Sequence, residues 1–206
     1  MRRLLVSIFL ATLSLNANAL NILLTGIHPG RDPVAYLQSL GHTVTTTATV
    51  PTYTWGSNFD YSVYDLVVFA YDASNPADIG HLVAAVEAGE VGVVFMRGDG
   101  AQATARALGI IEDSGLEASL RYQTAYGNLN VVDNTHPVTE GIELGLYDLG
   151  HRYMTYIPEP GADMTVLATG LDGAALLVHN RLRVAVNANY AHLDGLADET
   201  AFGREL

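Results

Sequence analysis

At 206 residues the chain can bury one sizeable core, and its lack of cysteine excludes disulfides, thiol nucleophiles and cysteine-ligated metals. Its 22 acidic residues stand against 10 basic ones, all arginine, for a net charge of −12. Such a charge repels nucleic acid and anionic membranes, so neither is an expected partner.

The amino terminus reads as an export signal. Arg2-Arg3 form a positive n-region, Leu4 to Leu15 an apolar h-region, and Ala17-Asn18-Ala19 a small-x-small cleavage site. Cleavage after Ala19 is expected, leaving residues 20–206 as a single domain that is secreted, periplasmic or on the cell surface. An uncleaved anchor is the alternative, although the apolar run is short for a bilayer.

The mature chain opens with a predicted strand, Leu20 to Gly26, and a loop, Ile27-His28-Pro29-Gly30-Arg31-Asp32. A helix over Pro33 to Leu40 follows, with Asp32 as N-cap, Pro33 at the first helical position and Gly41 as stop. His42 to Thr47 is the next strand, completing a βαβ unit. Tyr64 to Ala70 is a third, buried strand, and Ile79, Leu82, Val83 and Val86 mark a helix from Pro76 to Ala88.

The fourth strand, Val91-Gly92-Val93-Val94-Phe95-Met96, ends in Arg97-Gly98-Asp99-Gly100, a glycine-flanked turn without serine or cysteine. Ala101 to Leu108 gives a short helix. Beyond Gly109 the pattern loosens, with a strand near Leu129 to Val132 and others at Met164–Ala168, Ala174–His179 and Leu182–Asn187. Asn180-Arg181 joins the last two as a hairpin. The alternation predicts a three-layer, flavodoxin-like α/β domain, its mostly parallel sheet carrying the antiparallel hairpin at one edge. After Asp198-Glu199-Thr200 a helix begins but has only Phe202 and Leu206 as an apolar face, so a C-terminally truncated last helix is expected.

The order of these pieces resembles the class I glutamine amidotransferase-like superfamily, and within it the ThuA-like, trehalose-utilisation branch. The resemblance rests on the opening strand with its His-Pro loop, Gly41-His42-Thr43-Val44, Tyr64 to Val68 and Gly92 to Met96. It continues through His136-Pro137-Val138-Thr139-Glu140-Gly141-Ile142 and the strand Arg183 to Asn187 leading to His192. Members with amidotransferase activity carry a cysteine at the elbow after the fourth strand, and the ThuA-like branch tends to have histidine there; this chain has Arg97. The resemblance therefore implies the fold and not glutaminase chemistry.

In such a sheet the carboxyl ends of the first, third and fourth strands gather Thr25, His28, Asp72, Arg97 and Asp99, with Asn187, Asn189 and His192 arriving from the last strand. His28, Asp72, Arg97, Asp99, Asn189 and His192 are the ligand-binding candidates: Arg97 suits an anionic or hydroxyl-rich ligand, and the carboxylates suit sugar hydroxyls. A structural Arg97–Asp72 ion pair is the competing reading. The catalytic candidates are Asp72, Asp99 and His192. Two histidines and carboxylates are metal-ligand types, but no tight spacing joins them, so no metal and no cofactor is expected. Ser57, Ser62, Ser74, Ser114 and Ser119 include none in a G-x-S-x-G elbow. His136-Pro137 reads as a structural turn with Thr139 or Asn134 capping. Tyr122, Tyr126, Tyr147, Tyr153 and Tyr156 are candidates for a sugar-stacking face or for ordinary packing.

The expected function is an exported, catalytically degenerate amidotransferase-like domain acting as a ligand-binding or scaffold module, with carbohydrate the ligand class the resemblance suggests. The alternative is a secreted hydrolase or carbohydrate-modifying enzyme using Asp72, Asp99 and His192, with or without a metal.

Overall fold

The computed structural model describes residues 19–26, 34–46, 59–70, 73–96, 100–112, 115, 117–120, 128–148, 153–170 and 172–187. All but the last residue of the expected export signal, residues 1–19, and the whole of the expected C-terminal helix lie outside them. The first half runs β1 (Asn21–Thr25), α1 (Val34–Ser39), β2 (Thr43–Thr46), a 3-10 turn (Tyr61–Val63), β3 (Leu66–Phe69), α2 (Ile79–Glu87), β4 (Gly92–Phe95) and α3 (Gln102–Ala107). The second half is nearly all strand: β5 (Glu117–Leu120), β6 (Asn128–Val131), β7 (Gly145–Asp148), β8 (Tyr153–Tyr156), β9 (Met164–Thr169), β10 (Ala174–His179) and β11 (Val184–Asn187).

Nine strands form one sheet in the order β2-β1-β3-β4-β11-β10-β9-β6-β7, and β5 pairs with β8 separately. From β2 to β11 all neighbours are parallel. From β11 to β7 all are antiparallel. Strands β3, β4, β10 and β11 are buried at every position, as their largely apolar sequences require.

Alternation then divides the core. Leu23, Val67, Phe69, Val93, Phe95 and Val186 meet Leu82, Ala85 and Val86 of α2 and Ala105 of α3. Phe69 and Phe95 stack at 4.7 Å beneath the strand ends. On the other face Ile22, Leu24, Leu66, Val68 and Val94 meet Leu37 of α1. Pairing carries that face onward through Val94 opposite Ala185 and Ala185 opposite Val178. There Val138 and Ile142 provide the cover.

The predicted hairpin forms as β10–β11 but sits inside the sheet, not at its edge. The reason is burial: a strand buried at every position needs neighbours on both sides, whereas the actual edge strand β2 (TVTT) is mostly exposed. Helix α2 starts at Ile79, three residues later than expected, because Asp78 caps it by accepting from the His81 N–H at 3.0 Å. The sequence pattern contains no sign of β5, β7 and β8. Among the described residues no helix is long and apolar enough to cross a membrane.

Candidate functional site

Register aligns the carboxyl ends of the parallel strands. Thr25 stands opposite Phe69, Phe69 opposite Phe95, and Phe95 opposite Val186. The chain crosses to opposite sides of β1, to β2 one way and β3 the other, and ligands in open α/β sheets bind at such a reversal.

Just beyond this edge the backbone closes into a seam. Gly26, at φ +75°, lies so near Ala73 that a Cβ would fall 2.1 Å from the Ala73 nitrogen. A Cβ on Gly100 would fall 2.5 Å from the Ala73 carbonyl oxygen, and Ser74 bridges Gly100 in parallel. Asn75 locks the arrangement: its Nδ2 donates to the Gly100 carbonyl, and its Oδ1 accepts from the Thr104 N–H and hydroxyl at 2.8 and 2.9 Å. Asn75 therefore serves the first turn of α3, a helix remote in sequence.

Two hydroxyls at this seam have no hydrogen-bond partner: Thr25 Oγ1 and Ser74 Oγ, both buried. Leaving a buried hydroxyl unpaired costs about 1–3 kcal/mol, so such groups call for an explanation. Thr25 is only 1% exposed and projects with Leu23 toward the α2–α3 face. Asn187 ends β11, also buried, but projects with Ala185 toward the α1 face. Three strand spacings, about 14 Å, separate β1 from β11. Thr25 and Asn187 thus share the edge without sharing a face.

His28, Asp72, Arg97, Asp99, Asn189 and His192 all lie outside the described residues. Their described flanks, Gly26, Ala70 and Ala73, Met96 and Gly100, and Asn187, all stand at this carboxyl edge. Among the described residues no cluster of three or more His, Asp or Glu side chains is placed to hold a metal. Sequence alone points to Thr25 but presents Ser74 only as a serine without an elbow. No local pattern announces that its hydroxyl is buried.

Two described histidines, His136 and His179, hold turns. His136 Nδ1 accepts from the Val138 N–H, Thr139 donates its N–H and hydroxyl to the His136 carbonyl, and Asn134 donates to the Ile142 carbonyl, so the expected turn forms. His179 Nδ1 accepts from the Arg181 and Leu182 N–H groups at 3.1 Å, closing the β10–β11 hairpin. Burial depresses its pKa. Tyr147 lies on β7, and Tyr153 and Tyr156 lie on β8, in a separate two-stranded sheet. Tyr122 and Tyr126 are outside the described residues.

No family model matches the chain, and no curated protein is significantly similar to it. Solved structures are. A glutamine amidotransferase of Thermotoga maritima aligns with TM-score 0.51 and 10% identity over 91% of this chain and 88% of that one. A provisionally assigned GMP synthase subunit from Thermoplasma acidophilum matches with TM-score 0.53 and 16% identity over 91% and 90%. A cytoplasmic protein of Salmonella typhimurium aligns with TM-score 0.57 and 14% identity over 91% and 95%. The fold is therefore similar to that of these structures, the glutamine amidotransferase among them: a mixed α/β arrangement built on one large sheet.

Proposed function

We propose that this is an exported, catalytically degenerate amidotransferase-like domain of three-layer, flavodoxin-like design that binds a small polyhydroxylated ligand, a carbohydrate, at the carboxyl edge of its parallel strands. The observation that carries the reading is the pair of buried, unpartnered hydroxyls of Thr25 and Ser74 at the seam. A hydroxyl donates once and accepts twice, and a sugar hydroxyl is its natural complement. The 2-1-3-4 order of the parallel strands supports the flavodoxin-like design. Degeneracy is supported by the absence of cysteine from the whole chain, which leaves Arg97-Gly98-Asp99 where a thiol would serve glutaminase chemistry. His28, Asp72, Arg97, Asp99, Asn189 and His192 complete the proposed site, and the Arg2-Arg3, Leu4–Leu15, Ala17–Ala19 pattern supports export.

Thermal unfolding with a panel of mono- and disaccharides tests the site. At least one sugar should raise the melting temperature of the wild type. Thr25→Val and Ser74→Ala should abolish that rise while leaving the unliganded proteins as stable as the parent or more so, since each removes an unpaired polar group. Sugar binding that survives both substitutions, or no response from the wild type, would refute the assignment. Arg97→Ala separates its two readings: loss of the sugar response at unchanged stability supports a ligand contact. A large fall in stability with the response intact shows a structural ion pair.

A further inference from the structure

Helix α1 packs Leu37 against β1 and β3, and the 133–142 turn packs Val138 and Ile142 over β6, β9 and β10. Between these two covers lies a groove of about 350 Å³, within the size range of small-molecule sites. Register fixes its floor. Val94, Ala185 and Val178 are successive cross-strand neighbours and make one row. Leu66 and Gly92 pair two residues lower, and the Arg183 carbonyl accepts from the Val93 N–H, which brings Arg183 beside Gly92. Strand alternation puts Arg183 on the face of Ala185. Gly92 contributes no side chain between Leu66 and Arg183. A Cβ there would lie 3.2 Å from the Arg183 carbonyl oxygen and 3.4 Å from Leu66 Cδ1, so the bare backbone keeps this part of the floor open.

We propose that this groove binds the chain of an unbranched, medium-length aliphatic carboxylate, with the carboxylate held at the rim by Arg183. Leu66, Val94, Val138, Val178 and Ala185 present aliphatic side chains, so the part of a ligand lying over them must itself be apolar. No phenylalanine, tyrosine or tryptophan lines the groove, which leaves an aromatic ligand nothing to stack on. Three strand spacings, about 14 Å, separate β3 from β10 and give room for an extended chain lying across the strands.

Charge fixes the other end. No acidic residue lines the groove, in a chain that has 22 of them, and Arg183 stands exposed at its rim. Among the described residues its guanidinium has no ion-pair partner, unlike that of Arg181, which engages Asp163. A planar guanidinium takes a carboxylate through two parallel hydrogen bonds. His136 adds a second donor at the groove: its Nδ1 accepts from the Val138 N–H, so the neutral ring carries its proton on Nε2. The groove opens on the α1 face near the amino ends of β4 and β11, whereas Thr25 projects toward the α2–α3 face at the carboxyl edge. The two sites are separate.

Calorimetric titration of the protein with hexanoate, octanoate and decanoate at fixed ionic strength tests the assignment. Affinity should rise about fourfold per added methylene. Arg183→Gln should weaken octanoate binding about tenfold, and Arg183→Lys only about threefold, since an ammonium keeps the charge without the two-bond geometry. The control Arg181→Gln removes the same charge from the neighbouring hairpin turn and should stay within about twofold of the parent. In methyl NMR spectra octanoate should shift Val94, Val138 and Val178 and leave Leu82 and Val86, on the opposite face, in place. No binding by the wild type, an affinity independent of chain length, equal losses from Arg183→Gln and Arg181→Gln, or shifts centred on Leu82 and Val86 would each overturn the proposal.

Discussion

Gly26 matters through the side chain it lacks. An added methyl would meet the Ala73 backbone, which belongs to a tightly held segment and cannot swing aside as a flexible side chain can. Gly26→Ala should therefore cost about 3 kcal/mol or more, combining left-handed strain with overpacking. Gly41 has a similar left-handed φ of +91° but open space around it, so Gly41→Ala should cost only about 1 kcal/mol. Urea unfolding of the two variants checks this, and equal costs would show that the seam yields. The sequence places Gly26 after a strand, but its contact with residue 73 is long-range and leaves no local trace. His179 gives a second residue-scale expectation. Burial, opposed by Asp163 and aided by Arg181, holds its pKa below the ordinary value of 6.5. The unfolded chain takes up that proton first as pH falls, so the stabilisation is complete above the unfolded pKa and is lost as pH drops through the folded one. Comparing stability at about pH 7.5 and about 5.5, His179→Asn, which keeps an acceptor for the hairpin N–H groups, should lose less on acidification than the parent. An unchanged loss would assign the acid sensitivity elsewhere.

Strands that bury both faces are legible as elements, since Ile22–Leu24, Leu66–Phe69, Val93–Phe95 and Ala174–Val178 read as unbroken apolar runs. Strands β5, β7 and β8 are not, because segments such as Glu117–Leu120 and Gly145–Asp148 depend on partners far along the chain for their extended state. The β10–β11 hairpin, expected at an edge and found inside the sheet, escapes for a related reason: a short turn shows that two strands pair but says nothing of what lies beyond each. The candidate site is legible only as an edge. Thr25 follows from the end of β1, whereas the Ser74–Gly100 bridge and the Asn75 lock on α3 join segments some 25 residues or more apart. Helix α2 carries the prediction at this scale. Asp78 satisfies an N–H of its first turn, so Asp78→Ala should destabilise the protein by about 1 kcal/mol, and Asp78→Ser should restore most of it. Chemical denaturation measures both, and a neutral Asp78→Ala would mean that water replaces the cap fully.

Across the whole molecule the balance of charge sets a further expectation. Twenty-two carboxylates face ten arginines, with a net charge of −12, so the average interaction between surface charges is repulsive. The pair of Arg181 with Asp163 lies at the surface, both partners well exposed, where such a bridge contributes little. Salt should therefore relieve more repulsion than it removes attraction. Raising the ionic strength from about 0.02 M to about 0.3 M shortens the screening length to below 10 Å, and the melting temperature should climb by several degrees over that range. Below this concentration general salting effects on apolar burial are small, which keeps the cause electrostatic. A charge-balanced variant isolates it further. Glu90, Glu140 and Glu159 are all exposed, and replacing the three with lysine moves the net charge toward zero without entering the core. That variant should melt above the parent at low salt and respond less to added salt. If salt instead lowers the melting temperature of the parent, specific ion pairs outweigh the net field. If the variant keeps the parent's full salt response, repulsion among surface carboxylates is not its source.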